Sequence, residues 1–217
     1  MATKLIFLDC DSTLSSLEGI DELARLRGGQ TFEACANMTN RAMNGEIEIE
    51  AVYGERLKLI EPSRKECLEI GQRYIETIEP HVRELVAWLN ENGWTPVILS
   101  GGLTQVIEPL GLELGIDGIK AVDLEFNEDG SYKRFVSECP TSRMGGKIEV
   151  IEEMKAEAKA ETTVMVGDGV SDLETKPVVD LFIGYGRVVA RDKVKAGAEV
   201  FVNSLDSIPE ILSQKFG

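Results

Sequence analysis

Residues 5–16 read LIFLDCDSTLSS. Leu5 to Leu8 form a short apolar run of the kind that fills a buried strand. The run then breaks into Asp9, Cys10, Asp11, Ser12 and Thr13. Residues two apart on a strand share a face, so Asp9 and Asp11 are expected side by side at its C-terminal end, with Cys10 turned into core. Two carboxylates that close repel one another unless a cation or a shared proton separates them. Asp, Ser and Thr also gather where strands stop, because their side chains bond local backbone. The choice between a turn and a site therefore rests on the rest of the chain.

From Pro80 onward, strand and helix patterns alternate. Helix HVRELVAWLNENG precedes strand TPVILS, and helix TQVIEPLGLELG follows, where Pro109 is expected to kink or shorten it. AVDLEFNEDGSYKRF reads as a hairpin around Asp129-Gly130. Helix KIEVIEEMKAEA leads to strand TTVMVGD; DLFIG and EVFVN read as strands, and SIPEILSQK as a closing helix. Such alternation predicts an α/β fold, a Rossmann-like parallel sheet core with helices on both faces. Between the first strand and Pro80 the patterns are helical: GIDELARLRG, TFEACANMTNRAMNG, EIEAVYGERLKLI and RKECLEIGQRYIETI. Asp21, Thr31 and Ser63 are expected N-caps, with Gly28 and Gly45 as stops. The expected division is a core of residues 1–14 and 77–217 with an inserted helical-bundle cap at 15–76.

Composition narrows the function. With 217 residues, 43% of them hydrophobic, the chain supports one sizeable core with a small second lobe. A formal net charge of −15 argues against nucleic-acid or anionic-membrane partners, which call for clustered Lys and Arg. The one basic stretch, Arg187 to Lys195, also holds Asp192 and reads as a solvated face. No N-terminal segment resembles a signal peptide, and no apolar run approaches the roughly 18 residues of a membrane span. Cys10, Cys35, Cys67 and Cys139 are scattered, as expected for reduced thiols in a cytoplasmic protein. Oligomeric state is left between monomer and homodimer. His81 is the only histidine, at a helix start after Pro80, so a structural or surface role is expected of it. Chemistry falls to carboxylates and lysine.

Open α/β sheets bind ligands beyond the carboxyl ends of their strands. Three strands here end in LDCDST, ILSGGLT and MVGDGVSD. If those ends converge, Asp9, Asp11, Asp168 and Asp172 share one small site, which demands a hard cation; Mg²⁺ suits carboxylates, waters and a phosphate. Ser100, Gly101 and Gly102 supply a hydroxyl and flexible backbone that can face an anion, although Ser-Gly-Gly is more often a plain turn. Lys147 falls in the first turn of a helix, where the dipole disfavours cations. It is either a misplaced surface lysine or the group that balances the acidic site. Together these groups describe phosphoryl transfer, with Asp9 as nucleophile and Asp11 as acid and base. A non-enzymatic phospho-acceptor is the competing class; it needs neither a cap nor an acid/base at Asp11.

In their order along the chain, D-x-D-S-T at Asp9–Thr13, S-G-G at Ser100–Gly102, Lys147 and G-D-G-x-x-D at Gly167–Asp172 resemble the haloacid-dehalogenase-like phosphatases. The likeness extends through DSTLSSLEGIDELARL, MTNRAMNGEI and ERLKLIEPSR to nearly the full length. The resemblance implies Mg²⁺ held by Asp9, Asp168 and the backbone carbonyl of Asp11, supported by Asp172. It implies that Ser100 and Lys147 bind the transferred phosphoryl group, with a small phosphomonoester, O-phospho-L-serine, as substrate. Glu18 would then meet the ammonium and Arg56 the carboxylate, with Met43 over the pocket. Ile49, Leu103 and Ser171 depart from the family, which more often places an aromatic residue, Phe, and Asn or Thr there.

Overall fold

The computed structural model describes residues 3–43 and 49–217, the side chains of residues 39, 40, 42, 43, 49 and 50 excepted. Strand β1 (Lys4–Leu8) is followed by helices α1 (Gly19–Leu26), α2 (Gly29–Met43), α3 (Ile49–Ile60), α4 (Arg64–Glu76) and α5 (Val82–Glu91). Next come β2 (Trp94–Leu103), α6 (Thr104–Leu114), β3 (Gly118–Val122), β4 (Leu124–Phe126), β5 (Tyr132–Phe135) and α7 (Gly146–Ala158). The chain closes with β6 (Thr162–Gly167), α8 (Val170–Leu173), β7 (Leu181–Tyr185), α9 (Asp192–Gly197), β8 (Val200–Val202) and α10 (Ile208–Phe216).

Six of these strands pair in the order β3-β2-β1-β6-β7-β8, every neighbour parallel. The path runs outward from β1 to β3, then returns to β6 on the other side of β1. Strand order thus reverses between β1 and β6, and a crevice opens beyond their carboxyl ends. Register decides what reaches it. Leu8 lies level with Ile98 of β2 and Val166 of β6. Asp9 therefore falls one residue beyond that line, and Ser100 and Asp168 two.

The side chains of β1 alternate between two apolar layers, as a strand buried on both faces requires. Ile6 and Leu8 pack in the layer with Leu85 and Leu89 of α5, Val106 and Leu110 of α6, and Leu212 of α10. Leu5 and Phe7 pack in the other, with Val150 and Ile151 of α7 and Val194 of α9. Cys10 is fully buried in the first layer, as its place between the aspartates predicts.

Helix α4 ties the helical insert to the sheet layer. Ser63 caps it, accepting from Glu66 N–H at 3.3 Å while Glu66 Oε2 accepts from Ser63 N–H at 2.8 Å. Cys67, Ile70, Gly71 and Tyr74 form its buried stripe at helical spacing. A Cβ on Gly71 would lie 2.7 Å from both Pro109 Cγ and the Val106 carbonyl oxygen, so only glycine lets α4 approach α6 this closely.

The sequence expectations need several corrections here. Ser100–Leu103 is no turn: β2 runs through it, with a register shift before Leu103 pairs with Val122. Pro109 does not end α6; packing against α4 outweighs the one backbone bond that proline removes. The hairpin around Asp129-Gly130 forms as expected from β4 and β5, but it starts at Leu124, because Ala121 and Val122 belong to β3 in the main sheet. Helices α1 and α2 start at Gly19 and Gly29, ahead of Asp21 and Thr31. Gly28 does sit in the left-handed region, at φ +97, and Gly45 lies outside the described residues. The basic stretch is exposed at Arg187, Asp192, Lys193 and Lys195, as a solvated face should be, but Arg187 Nη1 also donates to buried Glu79 at 2.7 and 2.8 Å, where Tyr185 donates at 2.5 Å. Among the described residues no helix is long and apolar enough to cross a membrane.

Candidate active site

Three strand ends and two helices, α7 and α8, build the site. Asp9 follows β1, its N–H still donating to Val166 O at 2.9 Å. Asp168 follows β6, and Asp172 lies in α8. Carboxylate oxygens of Asp9, Asp168 and Asp172 all lie within 4.8 Å of one another, and all three residues are buried. Lys147, in the first turn of α7, points its ammonium into this cluster, donating to Asp9 Oδ1 at 2.8 Å and Asp172 Oδ1 at 2.5 Å. It is only 6% exposed, which removes the surface-lysine alternative. Asp172 is fixed further by Gly169 N–H, which donates to its Oδ2 at 2.9 Å. A Cβ on Gly167 would come within 2.3 Å of the Asp172 carboxyl, so the loop closes only around glycine.

Asp11 faces a different set of groups. Tyr74 on α4 donates to its Oδ1. Its Oδ2 lies toward Ser-Gly-Gly: a methyl group on Gly102 would be 3.2 Å from Asp11 Oδ2 and 3.2 Å from Ser100 Oγ. Ser100 is buried, and its Oγ accepts from Gly102 N–H at 3.0 Å. Between the aspartate and the first inserted helix, Ser12 takes φ +56, a conformation costing a non-glycine residue about 1–2 kcal/mol. Its hydroxyl donates to Glu18 Oε1 at 2.6 Å.

Burial and mutual repulsion set the electrostatics. Burial, then the charges of Asp9 and Asp172, pushes the Asp168 carboxyl up to about 8. Burial, then Asp9, pushes Asp172 up to about 7 against the pull of Lys147. Asp11 is also raised, by burial first and then by Glu18, against its bond from Tyr74. Burial pulls Lys147 down, but the Asp172 and Asp9 charges outweigh it, and the lysine stays a cation. The Lys147 ammonium and the half-buried Arg191 guanidinium on Asp168 do not neutralise three buried carboxylates. The donor set is hard, anionic and convergent, which fits a divalent cation such as those that prefer oxygen ligands. The Asp11 side chain stays outside that cluster, on Tyr74.

The other sequence-predicted residues are more scattered. Glu18 stands at the N-cap of α1, joined to the site through Ser12. Arg56 on α3 pairs with Asp21 at 2.5 Å rather than with Asp9 or Asp11, and its Nε is buried without a hydrogen-bond partner. Tyr53, one turn earlier on α3, likewise carries a buried hydroxyl without a partner. Gly101 lies beside the Thr141 backbone, where a Cβ would be 3.6 Å from its carbonyl oxygen. Met43 ends α2, and its side chain lies outside the described residues.

Two contributors escape sequence reasoning. Tyr74 shares the spacing of an ordinary core stripe, so nothing marks its hydroxyl. Arg191 sits in the basic stretch read as solvated, yet its Nε donates to Asp168 Oδ2 at 3.3 Å. No local signal separates it from neighbouring Lys193 and Lys195.

A family model of haloacid dehalogenase-like hydrolases matches residues 3–175. The chain belongs to that family, and so to a class of hydrolytic enzymes rather than to non-enzymatic phospho-acceptors. Among its relatives, the phosphoserine phosphatase of Bos taurus is 37% identical over 199 residues, covering 91% of this chain and 88% of that one. The chloroplastic phosphoserine phosphatase of Arabidopsis thaliana is 36% identical over 216 residues, covering 94% of this chain and 72% of that one. A solved phospho-aspartyl intermediate analogue of phosphoserine phosphatase superposes with a TM-score of 0.82 at 26% identity, covering 99% of each chain.

Proposed function

We propose that this chain is a Mg²⁺-dependent phosphomonoesterase that hydrolyses O-phospho-L-serine to L-serine and phosphate through an aspartyl-phosphate on Asp9. The observation that carries the reading is Lys147, buried and bonded at once to Asp9 and Asp172 at the switch point of the sheet. In the first step a carboxylate oxygen of Asp9 attacks phosphorus, and the bond from phosphorus to the serine oxygen breaks. Asp11 gives its proton to that departing alkoxide. Water then attacks phosphorus, Asp11 takes a proton from it, and the acyl-phosphate bond breaks to return Asp9 as a carboxylate. Lys147 and the Ser100–Gly102 segment hold the equatorial oxygens. Asp9, Asp168 and the Asp11 carbonyl, supported by Asp172, would hold Mg²⁺, which when bound offsets the negative charge of the phosphoryl group.

The substrate is assigned to a phosphorylated zwitterion. Arg56, whose guanidinium is held by Asp21 through Nη2, is the cation assigned to the substrate carboxylate, which a guanidinium pairs as a fork. Glu18 takes the ammonium. Residues 15–76 then serve as a cap on a core formed by 1–14 and 77–217. Cys10, Cys35, Cys67 and Cys139 form no disulfide, which fits a reducing compartment, here assigned as the cytoplasm. Phosphate release measured over a panel of phosphorylated metabolites, with and without Mg²⁺, tests the assignment. Phosphoserine should lead by kcat/KM; a better substrate without an amino-acid head would move the assignment to another small phosphomonoester.

A further inference from the structure

Helix α4 reaches the site through Tyr74, whose ring is fully buried and whose hydroxyl donates to Asp11 Oδ1. The other oxygen, Oδ2, faces the Ser-Gly-Gly segment, with the Gly102 Cβ position 3.2 Å from it and 3.2 Å from Ser100 Oγ. The two oxygens of this carboxyl are therefore not equivalent. One is tied to a side chain locked in the core, and the other looks toward the phosphoryl site.

We infer that Tyr74 is a positioning residue, which pins Asp11 Oδ1 and so commits Oδ2 to both proton transfers of the reaction. The inference rests on the reading of Asp11 as acid and base. A carboxyl free to turn about its Cβ–Cγ bond presents either oxygen, or neither, at the reacting distance, and misplacement by about 1 Å can cost roughly 100-fold. An oxygen that already accepts a hydrogen bond is also the poorer carrier of a proton, which leaves the acid's proton on Oδ2.

Two glycines serve this one hydroxyl. A Cβ on Gly19 would lie 2.3 Å from Tyr74 Oη, so any side chain at residue 19 displaces the hydroxyl from Asp11. Gly71, one turn before Tyr74, sets how closely α4 lies against α6. The phenol is thus held from its own helix and from the helix start beside it. A residue filling core space alone would need no hydroxyl at this point.

The test separates the proton-dependent half of the chemistry from the rest. Serine leaves as a poor alkoxide and needs the proton, whereas p-nitrophenolate leaves without it. Rapid-quench measurement of serine release from phosphoserine is compared with the p-nitrophenolate burst from p-nitrophenyl phosphate. For Tyr74→Phe, serine release should fall about tenfold or more, while its KM and the aryl burst change by no more than about twofold. Gly19→Ala, which keeps the tyrosine but displaces its hydroxyl from Asp11, should show the same split. Equal losses on both substrates, or serine release at the parental rate in Tyr74→Phe, would overturn the inference. Asp11→Asn run alongside distinguishes the two levels. If it shows no serine-selective loss, the acid/base reading fails and this inference with it; if it does while Tyr74→Phe does not, only the role of Tyr74 fails.

Discussion

Replacing Lys147 with methionine keeps most of the side chain's volume and removes one charge from the centre of a buried cluster. The ammonium lies 2.8 Å from Asp9 Oδ1 and 2.5 Å from Asp172 Oδ1. At an effective dielectric of about 20, each such contact carries roughly 6 kcal/mol of attraction, much of it spent against desolvation. Removing one partner of a buried pair typically costs about 3–5 kcal/mol. The loss in stability should fall at or below the low end of that range, because Asp168 and Asp172 already titrate near 8 and 7 and can take up protons instead. The loss in catalysis has no such relief. A preorganised charge aimed at developing negative charge is worth about 100- to 1,000-fold in kcat, or roughly 2.7–4 kcal/mol. Steady-state phosphate release at saturating Mg²⁺ and thermal melting, measured on one preparation, give both quantities. A variant that melts like the parent and turns over within a few-fold of it would refute the placement of Lys147 on the transferred group.

Three other outcomes follow from the same geometry. Arg56→Ala should raise KM for phosphoserine about tenfold or more, the worth of hydrogen bonds to a charged group, while p-nitrophenyl phosphate, which has no carboxylate, changes little; equal effects on both would make Arg56 a support for the fold. The chelated protein should lose stability as pH rises, because Asp168 and Asp172 titrate in the fold near 8 and 7 against an ordinary 3.8, and the folded state keeps protons that the unfolded chain has released. Their contribution is fully present below about pH 4 and is lost up to about pH 8, at roughly 1.4 kcal/mol per pH unit for each proton; urea midpoints in EDTA that do not fall between about pH 5 and pH 8 would contradict it. Gly71→Ala should destabilise the protein by about 1–3 kcal/mol, as an overpacked α4–α6 contact demands, and a parental melting temperature would show that the helices can separate at no cost.

The fold was legible wherever local chemistry and tertiary packing agree. The run Leu5–Leu8 is buried on both faces of the sheet, and Ser63 caps α4 with Glu66, each as its own sequence pattern implies. Legibility fails where packing overrides a local signal. Ser100–Gly102 looks like a turn, yet β2 runs on through it across a register shift, to Leu103, which pairs with Val122 of β3. Pro109 looks like a break, yet α6 continues because Gly71 admits the ring beside it. At the site, Lys147 was readable because a cation in the first turn of a helix is locally unfavourable and demands a reason. Tyr74 and Arg191 carry no such anomaly. A tyrosine at core spacing and an arginine in a basic run are both locally satisfied, and only the approach of distant elements gives them partners.

The central claim is that Asp9 carries phosphate during turnover. It is tested most directly by acid-quenching the enzyme with phosphoserine and Mg²⁺ in the steady state, then mapping its peptides by mass spectrometry. The account predicts one added phosphoryl group on Asp9, in the peptide that holds LIFLDCDST, and none in Asp9→Asn, which should also release no phosphate. Phosphate found on another residue, or an Asp9→Asn variant that turns over near the parental rate, would contradict it.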